Sequence, residues 1–141
     1  MEALRKNRVT ALVDVRQRRG VRGPEYAWAN SQRLQHALSD AGIEYRHVPE
    51  LAPTTELRHL QYEEDARQGV GKRSRVELAP AYIDRYEREV LDRVDLGAFF
   101  DSLPDRALTA LFCVERDAPA CHRSLIAARL EERFGARVVH L

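Results

Sequence analysis

RVTALVDVR, residues 8–16, alternates with a period of two, placing Val9, Ala11, Val13 and Val15 on one face and Thr10, Leu12, Asp14 and Arg16 on the other. That is a strand whose last residues turn polar. GPEYAWANSQRLQHALSDAG, residues 23–42, follows with a helical stripe of Ala27, Leu34, Leu38 and Ala41, Pro24 near its start and Gly42 as its C-terminal cap. The helix leads straight into IEYRHVP, residues 43–49, a second strand stopped by Pro49. Strand, helix and strand in so short a stretch make a βαβ unit, which implies parallel strands.

The remainder extends this α/β pattern. TTELRHLQYEEDARQG, residues 54–69, reads as a weak, mostly exposed helix, and GVGKRSR, residues 69–75, as a flexible basic loop. A clearer helix starts at Pro80, with Ile83, Tyr86 and Val90 on one side, and DLGAFFDSL adds a short helix capped by Asp95. RALTALFCVE, residues 106–115, is the most apolar strand in the chain, which predicts a central position covered on both faces. Pro119 precedes a final helix, CHRSLIAARLEERFG, ending at Gly135, and ARVVHL supplies a closing edge strand. The expected fold is therefore a single-domain α/β protein over residues 1–141, with a mostly parallel sheet of about four strands flanked by helices.

Bulk properties narrow the function classes. The chain has 141 residues, 44% hydrophobic and 32% charged, which suits one core. Lysine and arginine total 23 against 22 acids, a formal charge of +1, so no global field marks a nucleic-acid or membrane binder. Two cysteines cannot make a secreted disulfide framework, and their spacing fits neither CxxC nor a zinc finger. No apolar run approaches the ~20 residues that cross a bilayer, and no leader-like h-region opens the chain. The expectation is a cytoplasmic protein with reduced cysteines and no membrane partner.

In a parallel sheet, ligands bind beyond the carboxyl ends of the strands, where helix N-termini present free N–H groups. Arg16, Glu50 and Glu115 each leave such a strand end, and Cys121, His122 and Arg123 open the last helix. Alternation puts Cys113 and Glu115 on one face, and Asp14 and Arg16 on one face. The residue types suggest catalytic roles for Cys121, Glu115 and His122. A thiol at a helix N-terminus beside cations favours its thiolate, making Cys121 the nucleophile, whereas Cys113 inside an apolar strand resists ionisation. Glu115 serves as general acid or base, or holds an arginine. Asp14, Arg16, Glu50 and Arg123 are the candidate ligand-binding residues, with the two arginines suited to a phosphate or carboxylate.

Each of these residues also has a plain structural role to play. Both cysteines fit as small buried apolar groups. His122 shares the Ile126, Leu130 and Phe134 stripe of a core-facing helix, and Asp14, Arg16 and Glu115 fit an ion network. No metal site is expected, because Cys113, Cys121 and His122 lack an evident fourth ligand and adjacent residues rarely share an ion. A phosphatase loop needs arginine six positions after its cysteine, where Pro119 and Ala127 stand instead. No GxxxxGK[ST], GxGxxG or HExxH string occurs, so nucleotide hydrolysis, dinucleotide binding and zincin chemistry lose their usual supports and the cofactor is unknown. Two basic stretches, with Arg16, Arg18, Arg19 and Arg22 in one and Lys72, Arg73 and Arg75 in the other, would form a cationic rim, with Tyr26 and Trp28 near enough in sequence to stack on a base. Nucleic acid is therefore a second candidate partner beside a phosphate-bearing ligand.

The ordered set LVDVR, GIEYRHVPEL and CVERDAPACHR, followed by a helix and VVHL, resembles the family known as domain of unknown function 488, from about residue 4 to the C-terminus. The resemblance implies an α/β domain with Asp14, Arg16, Pro49, Glu50, Cys113, Glu115, Cys121, His122 and Arg123 around one cleft, and it implies no established reaction. Two departures stand out. Members open with a strand and a Gly-His-Ser-like segment that this chain starts after, so the expectation is either a sheet that lacks an edge or inner strand or a truncated start. They also carry glycine after the Pro-x-Leu turn where this chain has Ala52, which would strain a turn of positive φ and shift Glu50.

Overall fold

The computed structural model describes residues 1–71, 74–104 and 108–141. Helix α1 (Glu2–Lys6) leads into strand β1 (Val9–Asp14), and a 3-10 turn (Pro24–Ala29) precedes α2 (Ser31–Asp40) and β2 (Glu44–His47). After a second 3-10 turn (Pro49–Leu51) come α3 (Thr55–Arg67), α4 (Pro80–Tyr86) running into a π turn (Glu87–Leu91), and α5 (Leu96–Asp101). Strand β3 (Leu108–Phe112), a 3-10 turn (Ala118–Ala120) and α6 (His122–Phe134) complete the order.

Among the described residues the sheet has three strands, not four, in the order β2-β1-β3, and both pairings are parallel. The fold is α/β. Asp14 is level with His47 on one side and Phe112 on the other, so residues 15–16, 48–50 and 113–115 leave the same edge. The central strand is β1, and the expected central strand, β3, lies at an edge. β3 is apolar on both sides because helices cover both faces of the sheet, yet among the described residues its outer rim has no partner strand, Leu108 is exposed and residues 109–112 are only half-buried. The closing segment ARVVHL forms no ladder, and Val139 and Leu141 remain exposed.

The two faces are distinct. Val13 and Val15 join Leu51, Leu57, Tyr82, Tyr86 and Ile126 in the larger core, beneath α3 to α6. Leu12 packs with Leu34, Leu38 and Ile43 beneath α1 and α2. Val9 belongs to this second cluster rather than to the face of Val13, because the β1–β3 register shifts between Val9 and Ala11. The expected helix from Pro24 to Gly42 divides at Asn30, whose extended backbone (φ −61°, ψ 137°) separates the 3-10 turn from α2. Gly42 then takes φ 67°, as a C-terminal cap requires.

Helix α3 is less exposed than its composition predicts. Leu57, Gln61 and Asp65 recur every four residues on its buried face. At the end of α6, Gly135 adopts φ 65° and donates its N–H to Glu131, with open space around the position of a Cβ. Gly135→Ala therefore meets no clash but keeps the left-handed backbone, and should cost about 1 kcal/mol in chemical denaturation. No loss, or a loss several-fold larger, would count against this cap. No helix of the described residues is long and apolar enough to cross a membrane.

Candidate thiolate site at the carboxyl edge of the sheet

The polar residues at the sheet edge divide by face. On the α2 side, Asp14 and Arg16 form a buried fork: Arg16 Nε donates to Asp14 Oδ1 at 2.8 Å and Nη2 to Oδ2 at 2.7 Å. Both side chains are almost fully buried, at 0% and 3% exposure. Arg16 Nη1 donates to the Ala29 carbonyl at 2.8 Å, and its guanidinium lies 4.8 Å from the centre of the Phe112 ring. The Tyr45 hydroxyl donates to Asp14 Oδ2 at 2.7 Å. Burial alone would raise the Asp14 pKa, but the hydrogen bonds from Arg16 and Tyr45 overcome it and hold the carboxyl below its usual range. Three of the five N–H donors of the Arg16 guanidinium are therefore committed to the protein.

On the α3–α6 side, Cys113 follows β3 directly and Cys121 is the N-cap of α6. The same alternation that sends Phe112 toward Arg16 sends Cys113 and Glu115 toward the other face. Cys113 Sγ donates to Glu115 Oε2 at 2.7 Å. Cys121 Sγ lies 3.7 Å from His122 Nδ1, and His122 Nε2 lies 2.8 Å from the Val15 carbonyl oxygen. A carbonyl can only accept, so Nε2 carries a hydrogen and Nδ1 is the nitrogen that exchanges a proton with the thiol. The imidazole is packed edge-on against Tyr86, with ring centres 5.7 Å apart. His122 is thus a core-facing histidine and the partner of the thiol at once.

The electrostatics follow from these contacts. Burial opposes ionisation of Cys121, but the adjoining Cys113 sulfur, the hydrogen bond from His122 and the imidazolium charge outweigh it and lower the thiol to about 5. His122 moves the other way: burial disfavours its charge, and the neighbouring thiolate more than restores it. Cys113 is raised well above the usual thiol range, first by the Cys121 sulfur beside it and then by burial. Glu115 stays below the ordinary carboxylate range because the Cys113 hydrogen bond and the charge of His122 outweigh its burial. The shifts favour the charged form of Cys121, His122 and Glu115 and the neutral form of Cys113.

Three residues outside the expected set complete the surroundings. Arg75 Nη1 donates to Asp65 Oδ2 at 2.7 Å, while Nε and Nη2 reach the Ala120 carbonyl at 3.3 and 3.2 Å. Its Nη2 is also 3.7 Å from Glu115 Oε1. Gln61 donates to Asp65 Oδ1 at 2.8 Å and accepts the Ala79 N–H at 2.9 Å. Arg75 is buried rather than part of a cationic rim, and Lys72 and Arg73, the other basic residues of that stretch, lie outside the described residues. A signal was present in the sequence: Gln61 and Asp65 stand at helical spacing below Leu57, which places two polar groups where they need buried partners.

Arg123 does not meet Arg16. Its Nη1 and Nη2 donate to the carbonyls of Glu115 and Arg116 at 2.6 and 3.0 Å, fixing the connection between β3 and α6. Glu50 is exposed on its 3-10 turn, apart from the thiols. Ala52 has φ −76°, so its turn carries none of the strain expected of a non-glycine residue there. Cys113, Cys121 and His122 place their donor atoms within 4.8 Å of one another, and both cysteines are free thiols. A concavity of about 510 Å³ is lined by this cluster, Tyr82 and Arg75, and by Arg16, Arg18, Arg22 and Arg116.

A family model described as "Domain of unknown function DUF488" matches residues 1–130. The chain belongs to this family. No curated protein and no solved structure matches it. The DUF488 match spans every residue of the thiolate cluster, from Val15 to His122, so the cluster lies wholly within the family domain.

Proposed function

We propose that this DUF488 chain is an enzyme of thiol chemistry, in which the Cys121 thiolate attacks an electrophilic centre of a small anionic substrate held in the concavity. The observation that carries this reading is the line Val15 carbonyl, His122, Cys121: an orienting acceptor, a base and a nucleophile in sequence. His122 takes the thiol proton and can return it to a leaving group. Glu115, half-buried and ionised, moves protons at the second thiol. Arg18, Arg22 and Arg116 are exposed on the lining and offer donors to a carboxylate or phosphate, the part first expected of Arg16 and Arg123.

The nucleic-acid reading retains the exposed arginines. Of its two stacking rings Tyr26 lines this concavity, whereas Trp28, half-exposed and edge-on to Phe112, lines the neighbouring one.

Alkylation of Cys121 by iodoacetamide, followed by peptide mass mapping across pH, tests the proposal. The rate tracks the thiolate fraction, so it should hold steady from neutral pH downward and fall only around pH 5. His122→Gln removes the imidazolium and should move the midpoint toward the ~8.5 of a free thiol. Inorganic phosphate should slow the wild-type reaction by occupying the arginine rim. A wild-type midpoint in the ordinary thiol range would refute the proposal.

A further inference from the structure

The second thiol has no task in nucleophilic attack, yet it is built into the same cluster. Cys113 and Cys121 are separated by a short connection that is held at both ends. Arg123 binds the carbonyls of Glu115 and Arg116, and Arg75 binds that of Ala120. Both sulfur atoms belong to the group of donors lying within 4.8 Å of one another, and both line the concavity. At about 510 Å³ it far exceeds the ~30 Å³ that one water molecule takes up in the liquid.

We propose that Cys113 and Cys121 are a redox dithiol, which a small hydroperoxide entering the concavity oxidises to an intramolecular disulfide. This rests on the Cys121 thiolate of the preceding section. The thiolate attacks the oxygen of ROOH that carries the hydrogen; an S–O bond forms, the O–O bond breaks, and the departing alkoxide takes the imidazolium proton of His122 to leave as ROH. Cys121 is then a sulfenic acid. Cys113 attacks its sulfur, passing its proton to Glu115, the carboxylate it already faces at 2.7 Å. The sulfenic hydroxyl departs with that proton as water. The sum is dithiol plus ROOH giving disulfide, ROH and water, with the peroxide reduced by the two electrons the sulfurs lose.

Cys113, Cys121 and His122 are also donors of the kind zinc takes, so a metal site is the rival that the experiment must separate from the dithiol.

Treating the full-length protein with equimolar hydrogen peroxide, then counting thiols and mapping peptides by mass, tests the idea. Both thiols should vanish together, leaving the chain two hydrogens lighter, with residues 113 and 121 joined, and dithiothreitol should restore them. Cys113→Ser should stop at the Cys121 sulfenic acid, captured by dimedone. A wild-type product with Cys121 over-oxidised and Cys113 still alkylatable would overturn the dithiol, as would a disulfide between two chains. So would a stoichiometric zinc ion that shields both thiols and is lost in Cys121→Ser. If Cys121 alkylates at low pH yet no internal disulfide forms, the dithiol alone fails; if low-pH alkylation is absent, the thiolate beneath both proposals fails.

Discussion

Arg16→Met is expected to cost about 3–5 kcal/mol of stability, because it leaves the Asp14 carboxylate buried without its partner. Asp14 is fully buried, and after the substitution only the Tyr45 hydroxyl and the backbone N–H of residue 16 still serve it. The Ala29 carbonyl loses its Arg16 donor as well. Chemical denaturation should read the loss directly, and Tm should fall by on the order of 10 °C. The sign of the pH dependence follows from Asp14. Its pKa is lowered in the folded protein, so the contribution of the pair is complete above the unfolded carboxylate value of ~3.9 and is lost as pH falls through the native one. The deficit of Arg16→Met should therefore shrink in acid. Asp14→Asn combined with Arg16→Met should recover part of the loss, since no lone charge stays buried. A deficit under about 1 kcal/mol at neutral pH would mean that the fork carries little.

This pair also bears on the thiolate. It locks the end of β1 from one face while Val15, between its two members, offers its carbonyl to His122 on the other. A rigid strand end sets where the imidazole sits, and the imidazole sets the proton of Cys121. In the proposed reading Arg16 therefore positions the strand end, a role added to the ligand binding first given to it, since it also lines the concavity.

That shift marks the limit of what the chain spells out. Alternation is a local rule, so the common edge, the shared face of Cys113 and Glu115, and Cys121 at the start of α6 are all legible from residues 8–16 and 106–123. Acceptors that are backbone carbonyls are not legible. Arg16 finds Ala29, Arg123 finds Glu115 and Arg116, Arg75 finds Ala120, and His122 finds Val15; none of these carbonyls has a side-chain signature. Strand order is equally hidden, because an edge strand covered by helices on both faces is as apolar as a central one. The strand ARVVHL fails for a related reason: a short run rich in β-branched residues is enough for the pattern but not for a ladder, which needs a free partner in register.

The same reasoning picks out Arg75, which composition assigns to a loop and the fold draws inward. Arg75→Met should also cost about 3–5 kcal/mol, since Asp65 is left buried with Gln61 as its remaining partner. A stability loss alone would not separate a core ion pair from a part of the site, so the comparison with Asp65→Asn is the decisive one. Asp65→Asn breaks the pair but leaves the Arg75 guanidinium on the Ala120 carbonyl, holding the turn that delivers Cys121. Arg75→Met releases that turn and removes the cation 3.7 Å from Glu115. Both variants should lose stability. Only Arg75→Met should change the iodoacetamide rate of Cys121 at neutral pH under folded conditions, raising it several-fold as the thiol, 1% exposed in the intact protein, becomes reachable. Equal rates in the two variants would reduce Arg75 to a buried ion-pair partner of α3. A rate that rises in Arg75→Met alone would make it the residue that keeps the thiolate enclosed.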